Sequence, residues 1–192
     1  GQEGSPATDQ EVANVVKAMS SEFAARNLTT QLFVGEAGSI GSAIPQVPKF
    51  WGNEQASMKI AGLPNVSNIV SAHSYWNDDS AENMYNTRVE FRNKMQETDP
   101  DLEYFQTEYS LLGGGYAWGH PGASLGNYKE IECAMSLARM LHVDLAVANA
   151  TGWHWWTVFE QGSHGGEARF ALIEALTKLD LTDGIYHRSD PT

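Results

Sequence analysis

The sequence predicts an α/β fold in which repeating βα units build a parallel sheet. Three observations predict it. Four β-rich runs recur along the chain: QLFVGE ending at Glu36, NIVSAH at His73, LEYFQTE at Glu108 and ATGWHWW near Trp155. A helical segment falls in each gap between them. No strand is followed by the G-x-G-x-x-G fingerprint that a nucleotide-binding doubly wound sheet would carry, although that topology stays open on spacing alone. The units recur every roughly 35 to 47 residues, against roughly 30 in a (β/α)8 barrel, which suits such a barrel with long loops. Four units make half a barrel.

Taken in order, the first helix is announced by Thr8 and Glu11, an N-cap oxygen three residues ahead of a glutamate. Val12, Val15, Val16, Met19 and Phe23 then follow at helical spacing. Asp79 with Glu82 makes a second capping pair, ahead of a stripe of Met84, Arg88, Phe91 and Met95 in which the arginine contributes only its stem. The run LLGGGY after Glu108 lacks fingerprint spacing and reads as a flexible loop. Asn127 with Glu130 opens a third helix, with Ile131, Ala134, Met135, Ala138 and Leu141 as its apolar face. A further helix is expected over Arg169 to Leu179.

The 192 residues suffice for one domain with a substantial core, at 42% hydrophobic and 19% charged. Net charge is −12, from 12 Lys and Arg against 24 Asp and Glu, with no cluster of cations. A phosphate-binding surface needs such clusters, so nucleic acid and anionic membranes are excluded as partners and a neutral substrate fits better. The longest apolar run is far short of the roughly 20 residues that span a bilayer. The single cysteine, Cys133, allows no disulfide framework and no Cys-based zinc site. The sequons at Asn27, Asn65 and Asn149 are read as chance occurrences. The chain starts at Gly1 without a signal-like segment, and further chain before it is expected.

In a βα barrel the chemistry is built at the C-terminal strand ends, and the unusual residues of this chain collect there. Glu36 ends the first strand, His73-Ser74-Tyr75-Trp76 the second, Glu108-Tyr109 the third, and Trp153, Trp155 and Trp156 lie on the fourth. Strand alternation places Tyr104, Gln106 and Glu108 on one face, and His73 with Tyr75 on one face of their own strand. Sugars present hydroxyls at their edges and polarised C–H groups on their faces. Aromatic platforms suit the faces; His, Tyr and Glu suit the hydroxyls. Each residue also has a plainer role. A strand-end glutamate is ordinarily solvated, Glu36 can simply hold a loop, and a histidine such as His73 ordinarily serves structure. The three tryptophans cannot all face one way, so at least one packs against core or helix. His120, His154 and His164 show no metal-ligand spacing, and no G-x-S-x-G elbow is present.

Four motifs taken together carry a resemblance. QEGSPAT at residues 2–8, HSYW at 73–76, QTEY at 106–109 and GWHWW at 152–156 occur in the order and spacing of the second half of a family 30 glycoside hydrolase. The chain looks most like the endo-β-1,6-galactanase-like branch, over nearly its whole length. The resemblance implies a (β/α)8 barrel with a side β-sandwich. This chain would supply strands five to eight and their helices over residues 1–192; the rest of the barrel and the sandwich lie elsewhere. It implies hydrolysis with retention, with Glu108 as nucleophile. His73, Tyr75, Tyr109 and Glu36 would bind substrate, Trp153 or Trp155 would floor the site, and Trp76 or Trp118 would extend it along the glycan.

The family's acid/base glutamate lies in an Asn-Glu-Pro motif ending the fourth strand, and this sequence has no Asn-Glu-Pro. The partner carboxyl is therefore expected upstream of residue 1, and the isolated chain is expected to be inactive. Glu3 is a weak substitute, because its neighbours read as a loop entering a helix. No metal or organic cofactor is implied, and the partner implied is a polysaccharide or oligosaccharide. Export is expected from that substrate class. A non-catalytic glycan-binding protein with the same aromatic mouth is the rival; a β-glucosidase or xylanase relative sharing Glu108 is a second.

Overall fold

A computed structural model of the chain describes residues 7–110, 131–156, 159–161 and 173–175. Helix α1 (Asp9–Ala25) starts at the expected capping box: the Glu11 N–H donates to Thr8 Oγ1 at 3.3 Å, and Glu11 Oε2 accepts from the Thr8 N–H at 2.8 Å. Its buried face is Ala13, Val16 and Ser20, whereas Val15 and Met19 are exposed. The stripe is thus rotated from the expected one, because small residues let the helix approach closely and Ser20 donates to the Pro64 carbonyl. The helix ends in a Schellman motif. Asn27 takes a left-handed conformation (φ 54), and the Leu28 and Asn27 N–H groups donate to Phe23 O and Ala24 O. Asn65 (φ 60) and Asn149 (φ 62) are likewise left-handed, each just before a strand, so all three sequon asparagines occupy positions where the chain turns.

Strands β1 (Leu32–Ala37), β2 (Val66–His73), β3 (Glu103–Tyr109) and β4 (Ala150–Trp155) pair in that order, all parallel. Parallel neighbours require crossover connections, and helices supply them. Two short helices, α2 (Ile40–Ala43) and α3 (Val47–Phe50), join β1 to β2. Helix α4 (Ala81–Thr98) joins β2 to β3. Helix α5 (Ile131–His142) precedes β4 and runs on into a π-helical turn at Val143–Val147.

Two apolar clusters pack the sheet against these helices; the smaller holds Tyr75, Met84, Tyr109, Met140 and Val143, and the larger lies between the strands and the earlier helices. Val34, Val70, Ala72, Tyr104 and Ala150 from the strands pack with Ala13, Val16, Ile40, Val47, Phe50, Phe91 and Met95. The other sheet face carries Phe33, Phe105 and Thr107; Phe33 and Phe105 meet edge to face at 5.6 Å, and Phe33 is half exposed. A four-stranded parallel sheet with this topology is consistent with part of a (β/α)8 barrel. No helix among the described residues is long and apolar enough to cross a membrane.

Three further expectations need correction. The N-cap of α4 is Ser80, whose Oγ accepts from the Asn83 N–H, while Asp79 bonds the Asn83 side chain instead. Both residues are good caps, and the extended backbone falls at Ser80. In α5 and its π-helical extension the buried positions are Ser136, Met140, Val143 and Asp144; Ala134, Met135 and Ala138 are exposed. The rotation is set by Asp144, which must face Arg88. Finally, residues 173–175 of the expected last helix form strand β6 (Ile173–Ala175), paired in parallel with β5 (Phe159–Gln161). Strand pairing satisfies their backbone groups, and tertiary contact overrides local propensity. Glu3, the 111–116 loop, Trp118, His120, the Asn127/Glu130 pair and His164 lie outside the described residues. By contrast, the α4 stripe of Met84, Arg88, Phe91 and Met95 is buried throughout.

Gly35 fixes the approach of β1 to β2. Its φ is +121, and a Cβ there would stand 2.5 Å from the Ser71 carbonyl oxygen. Gly35→Ala combines left-handed strain with a backbone clash and is expected to cost about 2 kcal/mol or more, seen as a lower urea midpoint.

Candidate active site at the strand ends

Parallel strands bring their C-terminal ends together, and here Glu36 of β1 and Glu108 of β3 meet at His73 of β2. His73 at the end of β2 lies opposite Glu108 of β3. Tyr75, two residues past β2, donates its hydroxyl to Glu108 Oε1 at 3.1 Å. His73 Nε2 stands 3.7 Å from Glu108 Oε2 and 3.2 Å from Glu36 Oε2, and Thr107 Oγ1 donates to the same Glu36 oxygen at 3.1 Å. A single imidazole nitrogen therefore faces two carboxylates. The Glu108 side chain is 28% exposed, Glu36 50% and His73 11%, so the acids face the opening and the imidazole sits beneath them.

Simple alternation does not produce this arrangement. Tyr104 and Gln106 are buried on the helix side, Tyr104 against Phe91 at 4.9 Å. Register irregularities between Ala72 and His73 and between Gln106 and Tyr109 interrupt the pleat. A bulge re-aims a side chain, and Glu108 leaves the face it was expected to share with Tyr104 and Gln106. Backbone strain collects at the same level: Glu36 (φ 51) and Trp76 (φ 58) are both left-handed. For a side chain as large as tryptophan that is an unusual conformation, of the kind found at functional sites.

The electrostatics give the groups different characters. Burial pushes the Tyr75 hydroxyl up, and the adjacent Glu108 charge pushes it further, so Tyr75 stays a proton donor to Glu108 at any working pH. At Glu36 burial acts to raise the carboxyl, but hydrogen bonds from His73, Ser71 and Thr107 outweigh it and hold the group below its ordinary 4.5. A depressed folded-state pKa stabilises the fold above pH 4.5, and that increment is lost as pH falls through the lower value. Glu36→Gln is therefore expected to lower stability at pH 7 by less than about 1 kcal/mol, given its exposure. Melting curves of variant and wild type should converge at strongly acid pH.

The aromatic residues divide into two sets. Trp153 and Trp155 stack at 6.1 Å and 30°, and both approach Tyr109. Trp153 is turned toward the helices, its indole N–H donating to Asp144 Oδ2 at 3.0 Å. Tyr109 is buried and its hydroxyl donates to Asp78 at 3.0 Å, so it touches the site through the Tyr75 ring at 5.6 Å rather than through its oxygen. Trp76 is 53% exposed beside Tyr75, over Gly38, and Trp156 is 47% exposed. The structure thus brings Glu36, His73, Tyr75 and Glu108 together, with Trp76 and Trp155 at the margin.

Sequence reasoning missed Thr107, Ser74, Asp78 and above all Asp144. The available signal was a charged residue inside an apolar helical stretch, Asp144 between Val143 and Leu145, matched by Arg88 within the stripe of α4. Among the described residues no group of three or more His, Cys, Asp or Glu is arranged to hold a metal ion. A cavity of about 300 Å³ lies elsewhere, at the far end of α4 between Pro48, Gly52, Lys94 and Thr98.

The family model for O-glycosyl hydrolase family 30 matches residues 1–164. Among solved structures, a conserved exported protein from Bacteroides fragilis superposes with a TM-score of 0.72 at 22% identity, over 91% of this chain and 35% of that one. The similarity is one of fold, and this chain spans about a third of the neighbour's length. No curated protein matches.

Proposed function

The chain belongs to O-glycosyl hydrolase family 30, and from that premise we propose that it carries the nucleophile half of a retaining glycoside hydrolase acting on β-linked polysaccharide, with β-1,6-galactan as the substrate class. The observation that carries this reading is Glu108, a part-exposed strand-end carboxylate with the Tyr75 hydroxyl on one oxygen and His73 beside the other. Glu108 attacks the anomeric carbon; the glycosidic C–O bond breaks, and a covalent glycosyl-enzyme forms. A second carboxyl protonates the leaving oxygen, then deprotonates the water that releases the sugar with its configuration retained. Tyr75 fixes the plane of the nucleophile. His73 and Glu36 offer hydrogen bonds to sugar hydroxyls, while Trp155 and Trp76 supply apolar platforms.

Among the described residues Glu36 is the other carboxylate beside His73, but its protonation is disfavoured, whereas a general acid must hold its proton near working pH. We therefore assign the acid/base to a part of the barrel outside these residues, which fits a chain that spans 35% of its structural neighbour. Export is proposed on the substrate class, and the exported neighbour agrees with it.

The test uses the full-length protein on a panel of β-1,6-galactan, β-glucan and xylan, with proton NMR of the anomeric signals during hydrolysis. Cleavage of galactan with the β anomer appearing first is expected. The α anomer first would overturn retention. Binding of a glycan without cleavage of any would favour the non-catalytic glycan-binding protein.

A further inference from the structure

We propose that the buried Arg88–Asp144 ion pair is a positioning unit for the active site, acting through Ser74, Asn77 and Trp153. The inference rests on the reading of Glu108 as nucleophile. Arg88 and Asp144 have no exposed side-chain surface, and Arg88 Nε donates to Asp144 Oδ1 at 2.9 Å. The other oxygen, Oδ2, accepts from Ser74 Oγ at 2.8 Å and from Trp153 Nε1 at 3.0 Å. Arg88 Nη1 donates to the Asn77 carbonyl at 2.7 Å, and Nη2 reaches Met140 Sδ at 3.0 Å.

These partners are the backbone of the site wall. Ser74 lies between His73 and Tyr75, and its N–H donates to the Glu108 carbonyl at 3.2 Å. Asn77 follows the left-handed Trp76, and its side chain accepts from the Gly41 N–H at 3.0 Å. The 74–77 segment is therefore clamped at both ends while it holds a strained tryptophan, and such strain persists only where surroundings over-determine it. Trp153 is fixed on the neighbouring strand by the same carboxylate. An apolar pair of equal volume packs a helix layer about as well as a buried ion pair. It cannot hold a hydroxyl, an indole N–H and a carbonyl at once.

The distinguishing variant is the apolar exchange Arg88→Met with Asp144→Leu in the full-length protein. Its melting temperature should exceed that of either single change but stay below wild type, because Ser74, Trp153 and the Asn77 carbonyl lose their buried partners. Inactivation by a 2-deoxy-2-fluoro-glycoside should slow by about tenfold or more, because misplacement by an ångström is costly in rate. Amide exchange in the 74–77 segment should rise by about tenfold. A stable double variant with wild-type inactivation and unchanged exchange would overturn the proposal. If the double variant does not fold, Ser74→Ala and Trp153→Phe remove single tethers, and wild-type inactivation in both would overturn it equally. If wild type itself takes no label, the nucleophile reading fails instead, and the exchange measurement alone decides the positioning role.

Discussion

Glu108→Gln is expected to lower kcat/KM on β-linked substrate by more than about 10⁴-fold, the scale seen when a nucleophile is removed from a unit that acts together. Stability should barely change. The glutamine carbonyl can still accept from Tyr75, and the side chain is already partly in water. Tyr75→Phe is the informative comparison, because it removes one hydrogen bond to a charged group, worth about 1.5–3 kcal/mol and hence roughly 10- to 150-fold in rate. Its effect should fall on kcat more than on KM, since the hydroxyl orients the attacking carboxylate rather than the sugar. Equal losses from the two variants would mean that Glu108 is not the reacting group.

The largest stability effect should come from Arg88→Met alone. It leaves Asp144 buried with only Ser74 and Trp153 as donors, and an uncompensated buried charge costs about 3–5 kcal/mol. Chemical denaturation should show the unfolding free energy falling by that amount, read as a lower midpoint with the slope unchanged. A loss below about 1 kcal/mol would mean that water or another cation reaches Asp144.

Much of this was legible in the sequence, for physical reasons. The four strands announced themselves as β-rich runs, and helical stretches between them implied crossovers, hence a parallel sheet. The α4 stripe survived intact because three of its four members are plain hydrophobes with no alternative face. Glu108, His73 and Tyr75 stood out because carboxylate, imidazole and phenol at strand ends are chemically conspicuous. The pleat was less readable. A period-two rule cannot foresee the register breaks at Ala72–His73 and Gln106–Tyr109, and those breaks place Glu108 beside Tyr75.

Arg88 was visible as an oddity in an apolar stripe, but its partner lies 56 residues away. Nothing local couples the two. Partners distant in sequence also set the rotated faces of α1, through Ser20 and Pro64, and of α5, through Asp144 and Arg88. The cap of α4 moved by one residue because Asp79 and Ser80 are both competent caps, and only backbone geometry separates them.

The most direct test of the central assignment is mass spectrometry of the full-length protein after incubation with a 2-deoxy-2-fluoro-galactoside inactivator, with Glu108→Gln as control. The expected result is one glycosyl adduct on the peptide containing Glu108, absent from the variant. An adduct on any other residue, or one that persists in Glu108→Gln, would contradict the assignment of Glu108 as the nucleophile.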